Sequence, residues 1–237
     1  MTRKKVLAMG AHPDDVEILC SGTLAKLVKA GHEVTIAHAT NGDVGHYFIP
    51  AAELAEIRER EAAEAANVIG ADSIGLGFHD FGVYDDWDTL HKFADVIRRV
   101  KPDVIITHGS GDYLFEHIKV GQITIAASYA AGCPNIKTAH DFHDSIPPIF
   151  FMDTIGAIDF KPTDYVDVTD VMDLKRAALG RHQSQLKWMK ERWNTDLVEL
   201  MEAVSRSRGI QSGVMYAEAF ARYQVYGRFK AENSLAI

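Results

Sequence analysis

The chain has 237 residues, 47% hydrophobic and 24% charged, a make-up that excludes extensive disorder and suits one large α/β domain. Twenty-five Lys and Arg against 33 Asp and Glu give a net charge of −8, which repels phosphate backbones and anionic lipid and argues against nucleic acid or a membrane as partner. No apolar run has the roughly 18 residues of a spanning helix, no h-region of proper length follows Met1, and Cys20 and Cys133 form no CxxC pair, so a cytoplasmic protein without a thiolate cluster or disulfide framework is expected.

Lys5-Val6-Leu7-Ala8-Met9 reads as a short buried strand closed by Gly10. From about Asp15 to Ala30 the apolar residues Leu19, Cys20, Leu24, Leu27 and Val28 recur at helical spacing, and Gly31 stops the helix at C′. Glu33-Val34-Thr35-Ile36-Ala37 is a β-branched strand, and the Ala-, Glu- and Arg-rich stretch Ala52 to Ile69 a helix closed by Gly70. A weak strand, Ser73 to Leu76, a helix from Thr89 to Val100 and a strong strand, Asp103 to Thr107, repeat the pattern. A helix from about Glu116 to Tyr129 follows, then strands Ile149 to Met152 and Tyr165 to Val168, and a mostly helical stretch from Thr169 onward. This alternation predicts a Rossmann-like, three-layer α/β fold with a mostly parallel sheet and a helical C-terminal third. No linker interrupts it, and residues 1–237 are read as a single domain.

In an open α/β sheet the ligand site lies beyond the carboxyl ends of the strands. Three polar clusters fall there: Gly10 to Glu17, Thr40 to His46 and Thr107 to His117. The second and third have the composition of ordinary turns; the first places two carboxylates, Asp14 and Asp15, at a helix start. Acidic residues complement a helix N-terminus, but adjacent helical side chains point about 100° apart, so the two cannot do the same work. His12 and Asp15, three residues apart, can share one cation while Asp14 faces what the cation holds, and His117 is the best-placed third ligand. Two His and one carboxylate with an open position make a catalytic zinc site, with Asp14 as general base. The same set serves non-haem iron(II), but those oxygenases favour antiparallel barrels, so zinc is preferred over Fe2+. A lone His beside Asp is more often structural than a ligand, and spacing alone leaves the metal site open.

The segment Ala11-His12-Pro13-Asp14-Asp15-Val16-Glu17 resembles the signature of the LmbE/PIG-L family of zinc-dependent deacetylases, which remove acetyl groups from N-acetylglucosamine conjugates. Thr40-Asn41-Gly42-Asp43-Val44-Gly45, Arg58-Glu59-Arg60-Glu61, Lys101-Pro102-Asp103-Val104, His182-Gln183-Ser184-Gln185 and Tyr216-Ala217-Glu218-Ala219-Phe220 resemble later family motifs, weaker singly than together. The resemblance implies His12, Asp15 and His117 as zinc ligands, Asp14 as general base, and Arg58 and Asp43 as substrate-binding residues. The plain alternative for Arg58 is an i,i+3 pair with Glu61 on a solvated helix face.

One departure stands out. Where the family's sugar deacetylases usually read His-Pro-Asp-His, this chain has Leu114-Phe115-Glu116-His117. Leu114 can neither stabilise an oxyanion nor protonate a leaving amine, and removing one oxyanion donor typically costs about 10²–10³ in rate. His182 is the leading catalytic substitute, with His46 and His79 behind it. A subset of the family shows a similar Asp-Tyr-x-x-acidic-His pattern, and its substrates need not be glucosaminides.

Trp188 and Trp193 read as core or subunit contact before an aromatic wall, Phe78 to Trp87 as a loop walling the pocket, and His140 and His143 as structural. The expected function is therefore zinc-dependent removal of an acetyl or other acyl group from a small-molecule N-acylated amino sugar or related amine. The competing reading is hydration or lyase chemistry on an unsaturated organic acid. A nucleotide-binding scaffold is disfavoured, because no Gly-x-Gly-x-x-Gly follows the first strand. Family analogy implies a homo-oligomer.

Overall fold

The computed structural model describes residues 3–226 and 228. Among these residues, seven strands form one sheet: β1 (Lys5–Gly10), β2 (Glu33–Thr40), β3 (Asp72–Phe78), β4 (Val104–Thr107), β5 (Ile149–Met152), β6 (Asp164–Asp167) and β7 (Ala217–Arg222). Their order is β3-β2-β1-β4-β5-β7-β6. The first five run parallel, and β7 is antiparallel to both β5 and β6. The mostly parallel expectation holds. Residues 217–222 are the exception to the helical C-terminal third, because the alternation of small residues with Glu218 and Phe220 inserts a strand between β5 and β6.

Among the described residues, eight helices flank the sheet: α1 (Asp15–Leu19), α2 (Ser21–Lys29), α3 (Ala51–Ile69), α4 (Trp87–Val100), α5 (Phe115–Ala130), α6 (Met172–Leu179), α7 (Gln183–Trp193) and α8 (Leu197–Ser212). Strand residues alternate between two cores, as the pleat requires. Val6, Ala8, Val34, Ile36 and Ile106 pack with α1, α2, α6 and α8, whereas Leu7, Met9, Ala37 and Ile105 pack with α4 and α5. No helix among the described residues is long and apolar enough to cross a membrane.

The helix expected from Asp15 to Ala30 is broken at Cys20, whose backbone leaves the helical region (φ −147°). The cause is distant. Glu218 of β7 accepts hydrogen bonds from Gly22 N (2.8 Å) and Thr23 N (2.6 Å), an anion on the new N-terminus of α2. Gly31 (φ +87°) and Gly70 (φ +77°) end α2 and α3 in the left-handed region, as read from sequence.

The chain leaves β1 for β2 and β3 on one side and returns through β4 on the other. The crevice between the carboxyl ends of β1 and β4 is the topological switch point, where α/β sheets place their ligands.

Candidate active site

Two segments meet at that crevice. After β1, Ala11 to Asp14 turn sharply into α1, with Asp14 held at φ +133°. Such a backbone is strained for a residue with a Cβ, and strain of this kind gathers at functional sites. Asp15 is pinned by its own turn: Oδ2 accepts from Ala11 N (3.0 Å) and His12 N (2.7 Å). After β4, the loop carries His108 and Asp112 and enters α5 at Glu116 and His117.

The side chains interlock across the crevice. His117 Nε2 lies 3.1 Å from Asp15 Oδ1, and His12 Nδ1 lies 3.4 Å from Asp15 Oδ2. Ligand atoms of His12, Asp15 and His117 all fall within 4.8 Å of one another. Each imidazole has a carboxylate behind it: Asp112 Oδ2 is 2.9 Å from His117 Nδ1, and Glu116 Oε2 is 3.0 Å from His12 Nε2. His108 stacks on His117 with ring centroids 3.8 Å apart. The carboxylate–histidine pairs are the arrangement that orients metal-binding imidazoles.

The electrostatics favour a cation. Burial lowers the pKa of His12, but Asp15 and Glu116 outweigh it and hold the group at about 10. For His117 burial also opposes, while Asp15 and Asp112 raise it to about 9. Asp15 shows the reverse: burial raises its pKa, and His117 and His108 drive it well below the usual carboxylate value. A divalent ion would bring positive charge to this cluster in place of those protons. His117 Nε2 is buried and, although 3.1 Å from Asp15 Oδ1, makes no well-directed hydrogen bond to it, so this nitrogen can turn to an ion. Two nitrogens and one carboxylate oxygen suit zinc in an open site.

Asp14 lies beside this set. Burial raises its pKa to about 6, with the Arg58 guanidinium acting in the opposite direction. Arg58 Nη2 sits 3.2 Å from Asp14 Oδ2 and donates to Pro13 O (2.5 Å), while Nη1 donates to Gly42 O (3.1 Å). Arg58 is only 3% exposed, so the solvated pair with Glu61 does not form. Glu61 instead accepts from Ser184 N (2.8 Å) and Ser184 Oγ (2.6 Å). Gly42 has φ +70°, and a Cβ there would lie 2.2 Å from Arg58 Nη1, so the turn must be glycine for the arginine to reach Asp14.

A cavity of about 560 Å³ opens onto the cluster. His12, Asp14, Asp15, His117, Arg58, Asp80 and Glu116 line its polar end; Phe81, Leu114, Ile155, Trp188, Met189 and Leu197 line much of the rest. The Phe78–Trp87 loop thus contributes a wall, and so does Trp188, expected first as core or subunit contact; Trp193 is exposed.

Two expected site residues stand elsewhere. Asp43 does not line the cavity: its Oδ1 accepts from Asp80 N (3.0 Å) and its Oδ2 meets His79 Nδ1 (2.5 Å), so it anchors the wall loop. His182 is fully buried, with Nε2 3.3 Å from Glu17 Oε2. It precedes α7 and does not line the cavity, though its charge acts on Asp14. His46 accepts from Phe48 N and Ile49 N in its own loop. Among the described residues, only His12 and His117 bring imidazoles to this cavity. The sequence reading gave no separate role to Glu116, Asp112, His108 or Asp80. The first three lay in the polar cluster after β4, and their i,i+4 and i,i+5 spacing to one another and to His117 was the available signal.

Residues 7–128 match a known family model described as PIG-L, GlcNAc-PI de-N-acetylase. The chain belongs to the PIG-L family. Across most of its length this PIG-L protein is 29% identical to a diacetylchitobiose deacetylase of Thermococcus kodakarensis, over 92% of this chain and 81% of that protein. It is also 25% identical to a 4-oxalmesaconate hydratase of Pseudomonas putida, covering 94% and 87% of the two chains. The solved N,N'-diacetylchitobiose deacetylase of Pyrococcus horikoshii superposes with a TM-score of 0.81 at 27% identity, covering 92% of this chain and 83% of that one.

Proposed function

We propose that the protein is a zinc-dependent amide hydrolase that removes the acetyl group from an N-acetylated amino sugar or its conjugate. The observation that carries this is the closeness of His12, Asp15 and His117, whose ligand atoms lie within 4.8 Å of one another, with the strained Asp14 lining the same cavity. The deacetylases among its relatives support the reading.

His12, Asp15 and His117 would hold the ion. When bound, zinc supplies Lewis acidity toward the amide carbonyl and lowers the pKa of a water in its open position. Asp14 takes the proton from the attacking water at its carboxylate, and the Arg58 guanidinium 3.2 Å away keeps that carboxylate in place. With Leu114 unable to donate, Asp14 then returns the proton to the leaving nitrogen. Asp112 and Glu116 fix the two imidazoles from behind.

Hydration of an unsaturated organic acid is the second reading, favoured by the hydratase relative and permitted by Leu114. The cavity does not decide between the two by charge, since Asp14, Asp15, Asp80 and Glu116 are met by Arg58, His12 and His117, and a bound ion would add further positive charge. Acetate release from N-acetylglucosamine conjugates, run beside hydration of unsaturated diacids, separates the two. Acetate release abolished by chelation and restored by zinc supports the hydrolase; hydration without acetate release overturns it.

A further inference from the structure

Much of the cavity's lining is apolar. Phe81, Leu114, Ile155, Trp188, Met189 and Leu197 form it. The polar atoms nearby are turned to the protein: Tyr113 Oη donates to Ile155 O (2.7 Å), and Gln185 Nε2 donates to Gly45 O (3.2 Å). Trp188 lines the cavity while its Nε1 is sealed from solvent, so the indole offers carbon to whatever sits there. Arg58 Nη1 and Nη2 are held by backbone carbonyls and Asp14.

A second sugar ring placed against such a wall would leave hydroxyls without partners, which costs free energy for each buried group. An alkyl or aryl group there would gain by leaving water, each buried CH₂ being worth a several-fold gain in affinity. At about 560 Å³ the cavity has room for an amino sugar together with such a substituent.

Resting on the amide-hydrolase reading, we propose that the substrate is an N-acetylated amino sugar bearing an apolar substituent, seated on the Leu114–Ile155–Trp188–Met189–Leu197 wall. Phe81, 66% exposed at the lip, covers the substituent from the mouth. The wall selects conjugates with an alkyl or aryl group over the free sugar and over a sugar-on-sugar conjugate.

The test compares kcat/KM of the zinc-loaded protein for N-acetylglucosamine, its methyl and octyl β-glycosides, and N,N'-diacetylchitobiose. Calorimetric binding of the deacetylated methyl and octyl products is measured in parallel. The octyl compound is expected to exceed the methyl one by tenfold or more in both turnover and binding. Met189→Gln and Leu114→Gln, checked for folding by thermal melting, are expected to bring that ratio toward one. Equal kcat/KM across the four substrates, or equal binding of the two products, overturns the apolar subsite and leaves the hydrolase reading intact. Absence of hydrolysis of all four, together with tenfold tighter octyl binding, overturns the hydrolase reading and leaves the subsite standing.

Discussion

Asp14 carries two costs at once, a backbone at φ +133° and a carboxylate buried enough to be raised to about 6. Asp14 caps α1 without a side-chain hydrogen bond, and its carboxylate pairs with Arg58, which keeps its own bonds to Pro13 O and Gly42 O when Asn stands at position 14. Asp14→Asn is therefore expected to bind zinc normally and to lose about 10²–10⁴-fold in kcat, measured as acetate release beside metal content; full activity would remove Asp14 from its role as base. Arg58 should act through position. Arg58→Met leaves Pro13 O and Gly42 O without their donor and frees the Asp14 carboxylate, so kcat should fall by about 10²-fold with zinc retained. Unchanged kcat would make Arg58 a purely structural clamp. His12, Asp15 and His117 were legible because one short motif and one helix start name them. The burial of Arg58 was not, since Arg58-Glu59-Arg60-Glu61 reads equally well as a solvated surface, and only Ser184, 123 positions after Glu61, draws that partner away.

Among the elements, the central strands show their sides in the sequence through alternation, but β2 hides a titrating group. His38 is 3% exposed, its Nδ1 lacks a partner, and burial lowers its pKa from 6.5 to about 4. The unfolded chain thus takes up a proton first as pH falls, so the stability tied to neutral His38 is complete above about 6.5 and declines between 6.5 and 4. In denaturant titrations, the stability of the wild type relative to His38→Gln should shrink as pH drops through that window. A difference constant from pH 7 to 4 would contradict this. The strand limits of β1, β4 and β5 were readable to within a residue. The break between α1 and α2 was not, because its cause is a carboxylate on β7 almost two hundred positions away.

At the scale of the molecule, that carboxylate ties the C-terminal strand to the active-site layer. Glu218 accepts from Gly22 and Thr23 and pairs with the fully buried Lys175, whose Nζ also donates to Ile18 O (2.8 Å). Glu218→Ala leaves Lys175 as an uncompensated buried charge, and a loss of about 3–5 kcal/mol in unfolding free energy is expected from denaturant melts. A loss under 1 kcal/mol would show that the pair is not holding β7 to α2. The Tyr216-to-Phe220 motif was visible in the sequence as a resemblance, but its place as an inserted antiparallel strand depended on partners the local pattern does not name. The same architecture brings the turn after β1 and the start of α5 to the switch point, where the proposed ion is shared. Metal content per chain, determined on purified protein after zinc loading and dialysis, tests that sharing most directly. One zinc per chain is predicted for the wild type and for Asp14→Asn, with less than a tenth remaining in His117→Ala and in Asp15→Ala; stoichiometric zinc persisting in the double variant His12→Ala, His117→Ala would contradict it.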